Sequence, residues 1–398
     1  MDKTTLLDEA GKARLTPQQA NVVKIFAPGH IRMEVEGREP HIVQVTTTSY
    51  AKYGGVVGGG ERIAHYIDEA LREAAADRGV SLTSTLLALD GREPIGDGKD
   101  RYQSIVGRAW DVHSLNADEV VARLRPADIV YVHQCLTSVG MFVAAHARLL
   151  GKKVYGLDSG AGEALILKFN PATIAVYDGI HAQSAFAAKA FAGFQVPVRI
   201  IPGPVDTKLH RPPSPGSPRD FTLVASVGRV LPHKGYERII RALPPGMSLI
   251  IVGQHYDSKY LAFLREYSVG KDLTFEDDLE DSGVRELLKR TGTFVHASTH
   301  VDYLGNYVPK PELLGLAPLE ALACGAQTIV SDAASLPELG VVPGCRVFRD
   351  EAELAEMLAE VGSGKAPMVD EQTMHAAVEQ QFGLAAVGRG LLDMMELD

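Results

Sequence analysis

The stretch FTLVASVGRVLPHKGYERIIRAL, residues 221–243, passes from an apolar run through a glycine-bounded loop into a helical pattern. Leu223 to Val227 predicts a strand, and the residues after Gly235 predict an amphipathic helix. Strand, loop and helix in that order are the unit from which parallel α/β sheets are built. The loop sets Arg229 at the carboxyl end of the strand and Lys234 beside a helix N-terminus, where anions bind in such folds. Gly228 stands between strand and loop.

The same alternation continues on both sides. Downstream, MSLIIVG, KDLTFED, TFVHAS, AQTIVSD and GCRVFRD read as strands, and upstream HIVQVTT, SLTSTLLAL, ADIVYVH, KKVYGLD, TIAVY and VRIIP do the same. Helical patterns lie between them, among them GERIAHYIDEALREAAADRG with Ile63, Ile67 and Leu71 at four-residue spacing. Residues 202–218 are dense in Pro and Gly and predict a domain connection. The expected fold is therefore α/β, with two Rossmann-like doubly wound domains facing each other across a cleft. The first spans residues 1–203 and the second 204–380, with the C-terminal helix 381–398 closing back onto the first. A ligand is expected at the strand ends between them.

Composition narrows the partners. A chain of 398 residues exceeds the usual single domain, which agrees with two. Its formal net charge of −10 opposes nucleic acid or an anionic membrane as main partner. Cys135, Cys324 and Cys345 are too few and scattered for a disulfide framework or a zinc site, which fits a reducing cytoplasm. Cys324 reads as a small buried helix residue. The polar N-terminal stretch lacks the apolar run of a signal peptide, and no window nears the roughly 20 apolar residues of a membrane-spanning helix. A cytoplasmic location is expected, with peripheral membrane contact left open.

A second stretch, PELLGLAPLEALACG at residues 311–325, holds two carboxylates that a plain core helix does not need. Pro is tolerated only in a helix's first turn, so Pro318 sets the helix start at about Leu316 to Pro318. Glu312 then lies in the preceding loop and Glu320 is expected inside the first turn. The amides of Gly315, Leu316 and Ala317 would be free to meet an anion, and Gly315 lets a ligand come close to the backbone. A carboxylate so placed can accept from both hydroxyls of a ribose diol. Favourable interaction with the helix dipole explains Glu320 as well, but not Glu312.

Gly228-Arg229 with Lys234-Gly235, followed by Glu312 and Glu320 with seven residues between them, resembles the retaining glycosyltransferases of family 4, which have the GT-B fold. The likeness extends over residues 41–345 and includes Gly59-Gly60-Glu61-Arg62, the strand end at Asp128 to His133, Ser184-Ala185-Phe186 and Ile201 to Asp206. It departs at Leu314, where the family commonly has Phe, at Pro204, and at Asp277, where Gly is frequent.

The resemblance implies a transferase that moves a hexosyl-type unit from a nucleotide diphosphate sugar, UDP-sugar first, to a hydroxyl acceptor on a sugar, lipid-linked glycan or small molecule. Arg229 and Lys234 would neutralise the leaving diphosphate in place of a metal, so neither metal nor cofactor is expected. Glu320 would hold the ribose and Glu312 would face the donor sugar. The amides of Gly315 to Ala317 would bind sugar or phosphate oxygens, and His133 would lie near the donor sugar. Gly59 and Gly60 would approach the diphosphate, and the base would lie against Asp278 and Leu279. Lys52, Tyr53 and residues 94–113, which hold Trp110, are acceptor-side candidates. Retention would follow a front-face route in which the departing phosphate takes the acceptor proton.

Other readings are a nucleotide-sugar epimerase or hydrolase on the same scaffold, and a non-catalytic nucleotide-sugar binder. A nicotinamide dehydrogenase is disfavoured because Ile63 stands where the third glycine of G-x-G-x-x-G belongs.

Overall fold

A computed structural model describes residues 39–53, 55, 58–92, 101–108, 110–160, 171–277 and 279–397. The chain divides into two compact units. One contains the described parts of Met1–Asp68 and Val80–His181, with Ala190–Arg199; the other contains Glu69–Gly79, Ala182–Lys189 and Ile200 onward.

The first unit is built on a seven-stranded sheet. Its strands are β1 His41–Thr46, β2 Thr83–Ala88, β3 Tyr102–Ser104, β4 Ile129–Val132, β5 Lys153–Leu157, β6 Gly179–Ala182 and β7 Val198–Ile200. Their order is β3-β2-β1-β4-β5-β6-β7. β1 runs parallel to both β2 and β4, with Ile42 opposite Ile129 and Val43 opposite Val130. All four residues of β4 are buried, as expected of a strand covered by helices on both faces. Between the strands in the chain lie α1 Gly59–Arg78, α2 Ala117–Leu124 and α3 Ser138–Leu149. Asn116 and Thr137 cap α2 and α3 by accepting backbone N–H bonds in the first turn.

The expected strand TIAVY is instead part of a 3₁₀ segment, Pro171–Val176, and the strand follows at Gly179–Ala182. A short apolar run does not declare its conformation. Ile174, Val176 and Tyr177 still join the apolar core, but they do so from a connecting segment.

The second unit carries six strands: β8 Asp220–Val227, β9 Ser248–Val252, β10 Asp272–Glu276, β11 Thr291–His296, β12 Gln327–Ser331 and β13 Cys345–Phe348. Every pairing is parallel, in the order β10-β9-β8-β11-β12-β13. Connecting them are α5 Tyr236–Ala242, α6 Ser258–Tyr267, α7 Asp281–Arg290 and α8 Leu316–Ala323; α4 Ala185–Ala188 precedes β7, and α9 Glu351–Gly362, α10 Glu371–Phe382 and α11 Leu384–Met395 follow β13. Arg219 ties several of these ends together. Its guanidinium pairs with Glu371 at 2.8 Å and donates to the carbonyls of Leu288, Thr291 and Cys324.

α11 groups with the second unit, together with the last turns of α1. A Cβ at Gly388 would lie 2.0 Å from the Ala70 carbonyl oxygen, so only glycine allows that approach. Arg78 pairs with Asp393 at 2.6 Å along the same contact.

Candidate active site

The order of the second sheet reverses between β8 and β11, and crevices at the carboxyl ends of such strands are where α/β sheets bind ligands. β8 ends at Val227 and gives way to Gly228 and Arg229. The loop that follows is held against the neighbouring strand ends. Tyr236 Oη donates to the Gly228 carbonyl at 2.6 Å, Val230 N donates to Gln254 O at 2.9 Å, and Thr299 N donates to His233 O at 2.8 Å. Gly235 has φ 64°, and a Cβ there would lie 2.3 Å from Ala297 O. Glycine is thus required for both conformation and space.

This scaffold presents two cations in different states. Arg229 is exposed and lies over the Tyr256 ring, its Cζ 5.9 Å from the centroid. Among the described residues no carboxylate pairs with it. Lys234 is largely covered, with a side chain 12% exposed, and its Nζ lies 2.9 Å from Glu312 Oε2. His296, the last residue of β11, places Nε2 2.7 Å from that same oxygen and 3.1 Å from Ser298 Oγ. Burial opposes ionisation of Glu312, but the Lys234 ammonium and the His296 hydrogen bond outweigh it and hold the carboxyl well below its usual range. Burial pushes the His296 imidazole down, beyond what Glu312 returns, and favours its neutral form. Burial, aided by Lys234, likewise lowers His233 to about 4.

Glu312 lies in the loop before α8, as expected. α8 begins at Leu316, with Gly315 before it at φ 91°. The first helical bond drawn to Gly315 O comes from Leu319 N, so the amides of Leu316 and Ala317 precede it. Glu320 corrects the expectation: it is the fifth helical residue, and the first turn holds no acid. Pro318 sits third in a helix that starts at Leu316, within the expected Leu316 to Pro318, and this start places Glu320 just past the first turn. Interaction with the helix terminus therefore does not account for it. Its side chain is 1% exposed, with Oε1 3.7 Å from His210 Nε2. Leu314 also packs tightly, since a Cβ on Gly203 would meet its Cδ2 at 2.5 Å.

Toward the ends of β9 and β10 lie Tyr256, His255 and Asp277, the last two 3.3 Å apart. Leu279 follows and is partly exposed at 38%. Asp278 lies outside the described residues, as do residues 94–100 of the acceptor-side segment.

In the first unit, Gly59 and Gly60 open the 20-residue α1. Nothing lies within 4 Å of a Cβ built on Gly59. His133, just past β4, is 0% exposed. Its Nε2 lies 3.1 Å from Gln44 Oε1, while Gln44 Nε2 donates to Asp68 Oδ1 and Ser84 Oγ. Since Gln44 turns its carbonyl to His133, the proton sits on Nε2 and the buried Nδ1 has no partner. Burial, with His181 nearby, pulls the His133 pKa down to about 3. The structure therefore brings Arg229, Lys234, Glu312, Gly315 and Glu320 into one unit and places His133 in a buried network of the other. Trp110 is 52% exposed.

His296, Tyr256 and His210 are not among the residues anticipated from sequence. The signal for His296 was its place at a strand's carboxyl end, the same rule that selected Arg229. Among the described residues no group of three or more His, Cys, Asp or Glu is placed to hold a metal ion, and no helix is long and apolar enough to cross a membrane.

Residues 210–353 match the family model described as Glycosyl transferases group 1, a stretch that holds Arg229, Lys234, Glu312 and Glu320. No curated protein matches the chain. Among solved structures, the chain is similar to HepE of Anabaena in complex with UDP and glucose, at 16% identity and a TM-score of 0.68, covering 90% of this chain and 100% of that one. It is also similar to sucrose-phosphate synthase of Thermosynechococcus elongatus, at 15% identity, TM-score 0.68, and coverage of 90% and 98%. A glycosyltransferase of Rickettsia africae matches at 13% identity and TM-score 0.66, over 90% and 99%. At these identities the structures speak for the fold, the two parallel-sheet α/β units of GT-B glycosyltransferases. The matched domain and the fold together support a glycosyltransferase.

Proposed function

We propose that the protein is a retaining, metal-independent glycosyltransferase that moves a sugar from a nucleotide diphosphate sugar, with UDP as the first candidate, to a hydroxyl acceptor. The observation that carries this reading is the convergence of Arg229, Lys234 and Glu312 at the strand ends beside the β8/β11 switch point, with Lys234 and Glu312 2.9 Å apart. UDP is favoured because HepE of Anabaena has been solved with UDP and with UDP-glucose.

In this reading Arg229 and Lys234 meet the diphosphate oxygens, and the amides at Gly315, Leu316 and Ala317 add donors to them. Glu320 accepts from the ribose hydroxyls, and the backbone near Leu279 borders the base. Gly59 and Gly60 open α1, with nothing within 4 Å of a Cβ built on Gly59. Glu312 faces the sugar. His133 is given no contact with the substrate; it supports the end of β4 through Gln44.

The anomeric carbon loses its bond to the diphosphate oxygen and gains one to the acceptor oxygen on the same face. The acceptor proton passes to the departing phosphate oxygen. Negative charge grows on the leaving group, so fixed cations beside it lower the barrier, each worth about 100- to 1000-fold in rate. No separate base and no metal are needed for that sequence.

The test is turnover of UDP-glucose and other nucleotide hexoses with EDTA present, following UDP release and the anomeric form of the sugar by proton NMR. Release that persists in EDTA, with the donor's configuration kept in the first-formed product, is expected. An inverted product or release abolished by EDTA would contradict the mechanism.

A further inference from the structure

We propose that His296 is a positioning residue that selects which oxygen of Glu312 faces the donor sugar. This rests on the reading of the second unit as a nucleotide-sugar site. Two donors converge on one oxygen: Lys234 Nζ at 2.9 Å and His296 Nε2 at 2.7 Å, both from Oε2. Among the described residues no side chain or amide donates to Oε1, and 17% of the side chain stays exposed. Oε1 is therefore the oxygen offered outward.

The two donors are not equivalent. A carboxylate's terminal torsion is soft and nearly two-fold, so Glu312 can exchange its oxygens at little cost unless something distinguishes them. Lys234 cannot, because an ammonium on a four-carbon stem carries three rotatable donors and follows either oxygen. His296 can. It is the last residue of a central strand, its side chain is 6% exposed, and its ring offers one N–H in a fixed direction. Burial keeps the ring neutral, with Nε2 as the donor toward Glu312.

The distinction matters most once a diphosphate draws on Lys234. The ammonium then divides its donors between phosphate and Glu312, and His296 alone keeps the carboxylate in one orientation. Without it, Glu312 would still be present and charged but would spend part of its time with the wrong oxygen forward. Misplacement on the ångström scale commonly costs on the order of 100-fold in rate.

The test uses the full chain with His296→Leu and His296→Gln, the second of which returns an N–H at the reach of Nε2. UDP affinity is measured by calorimetry, and kcat and KM for UDP-glucose by UDP release, with the melting temperature of each variant recorded. His296→Leu is expected to leave UDP affinity and KM within about twofold and to lower kcat about 10- to 100-fold. His296→Gln is expected to recover most of that loss at an unchanged melting temperature. A wild-type kcat in His296→Leu, or no recovery in a folded His296→Gln, would overturn the proposal. A parallel loss of UDP affinity and kcat would overturn it too, by making His296 a general support of the site. Wild-type protein that binds no UDP would instead sink the underlying reading, and the proposal with it.

Discussion

Lys234 Nζ lies 2.9 Å from Glu312 Oε2, across 78 residues of sequence. The cation assigned to the diphosphate and the carboxylate assigned to the sugar are thus paired with each other. A diphosphate that engages Lys234 must share it with Glu312.

That sharing gives Glu312→Gln an unusual signature. Removing the carboxylate's charge frees Lys234 for the diphosphate, a Coulomb effect of at least about 1 kcal/mol, the value for two unit charges about 4 Å apart in bulk water. UDP is expected to bind about fivefold more tightly, while turnover of a nucleotide sugar falls about 100-fold. Calorimetry and a UDP-release assay on the same preparation check both directions. Weaker UDP binding in the variant would show that Glu312 helps to hold the diphosphate.

Gly235→Ala tests the loop that carries Lys234. The substitution demands a left-handed conformation of a residue with a Cβ, and puts that Cβ 2.3 Å from the backbone oxygen of Ala297. A carbonyl at a strand end cannot swing aside as a side chain can. A loss of about 1–3 kcal/mol in unfolding free energy is expected from a denaturant titration, with UDP affinity reduced as the loop shifts. Gly216→Ala, also at positive φ but with nothing within 4 Å, serves as the control that separates strain from collision.

Acid sensitivity should carry the mark of two histidines, one buried and one half-buried. An unperturbed histidine takes its proton near pH 6.5, whereas His233 takes its own at about 4 and His133 at about 3. Between those values the unfolded chain binds more protons. The stability these groups contribute is therefore complete above about pH 6.5 and is lost as the pH falls to 4 and then 3, at up to about 1.4 kcal/mol per pH unit for each. Glu312, whose carboxyl is depressed, adds a loss that begins as the pH falls through the usual carboxylate range and continues below it. His133→Gln keeps a donor for Gln44 but has no proton to gain. Its stability, measured by urea unfolding from pH 3 to 7, is expected to fall less steeply than the wild type's.

Strands such as β9, β11 and β12 were legible because they are apolar, β-branched runs closed by Gly, Asp or Ser, and parallel strands buried on both faces keep that composition. The first unit was harder. β6 is Gly-Ile-His-Ala, with a single β-branched residue, and β3 has three residues; neither offers a pattern. TIAVY offered a strand's pattern and formed a 3₁₀ segment. Positions such as Arg229 at a strand end and Gly315 before a helix follow from local rules. Contacts do not: that Lys234 and His296 meet on one oxygen of Glu312 depends on packing β8, β11 and the loop before α8 together. The burial of His133 beneath Gln44 joins residues 89 apart in the chain. Glu320 falls just past the first turn because proline marks a helix start only to within a residue or two, and this helix takes the earliest start, Leu316.

The most direct test of the account is calorimetric titration of UDP into the wild type, Lys234→Ala and Glu320→Ala, with GDP, ADP and NAD as alternatives. The account predicts micromolar binding of one nucleoside diphosphate to the wild type and at least about a tenfold loss, near 1.4 kcal/mol, in each folded variant. Wild-type protein that binds no nucleoside diphosphate, or variants that bind as tightly as the wild type, would contradict it.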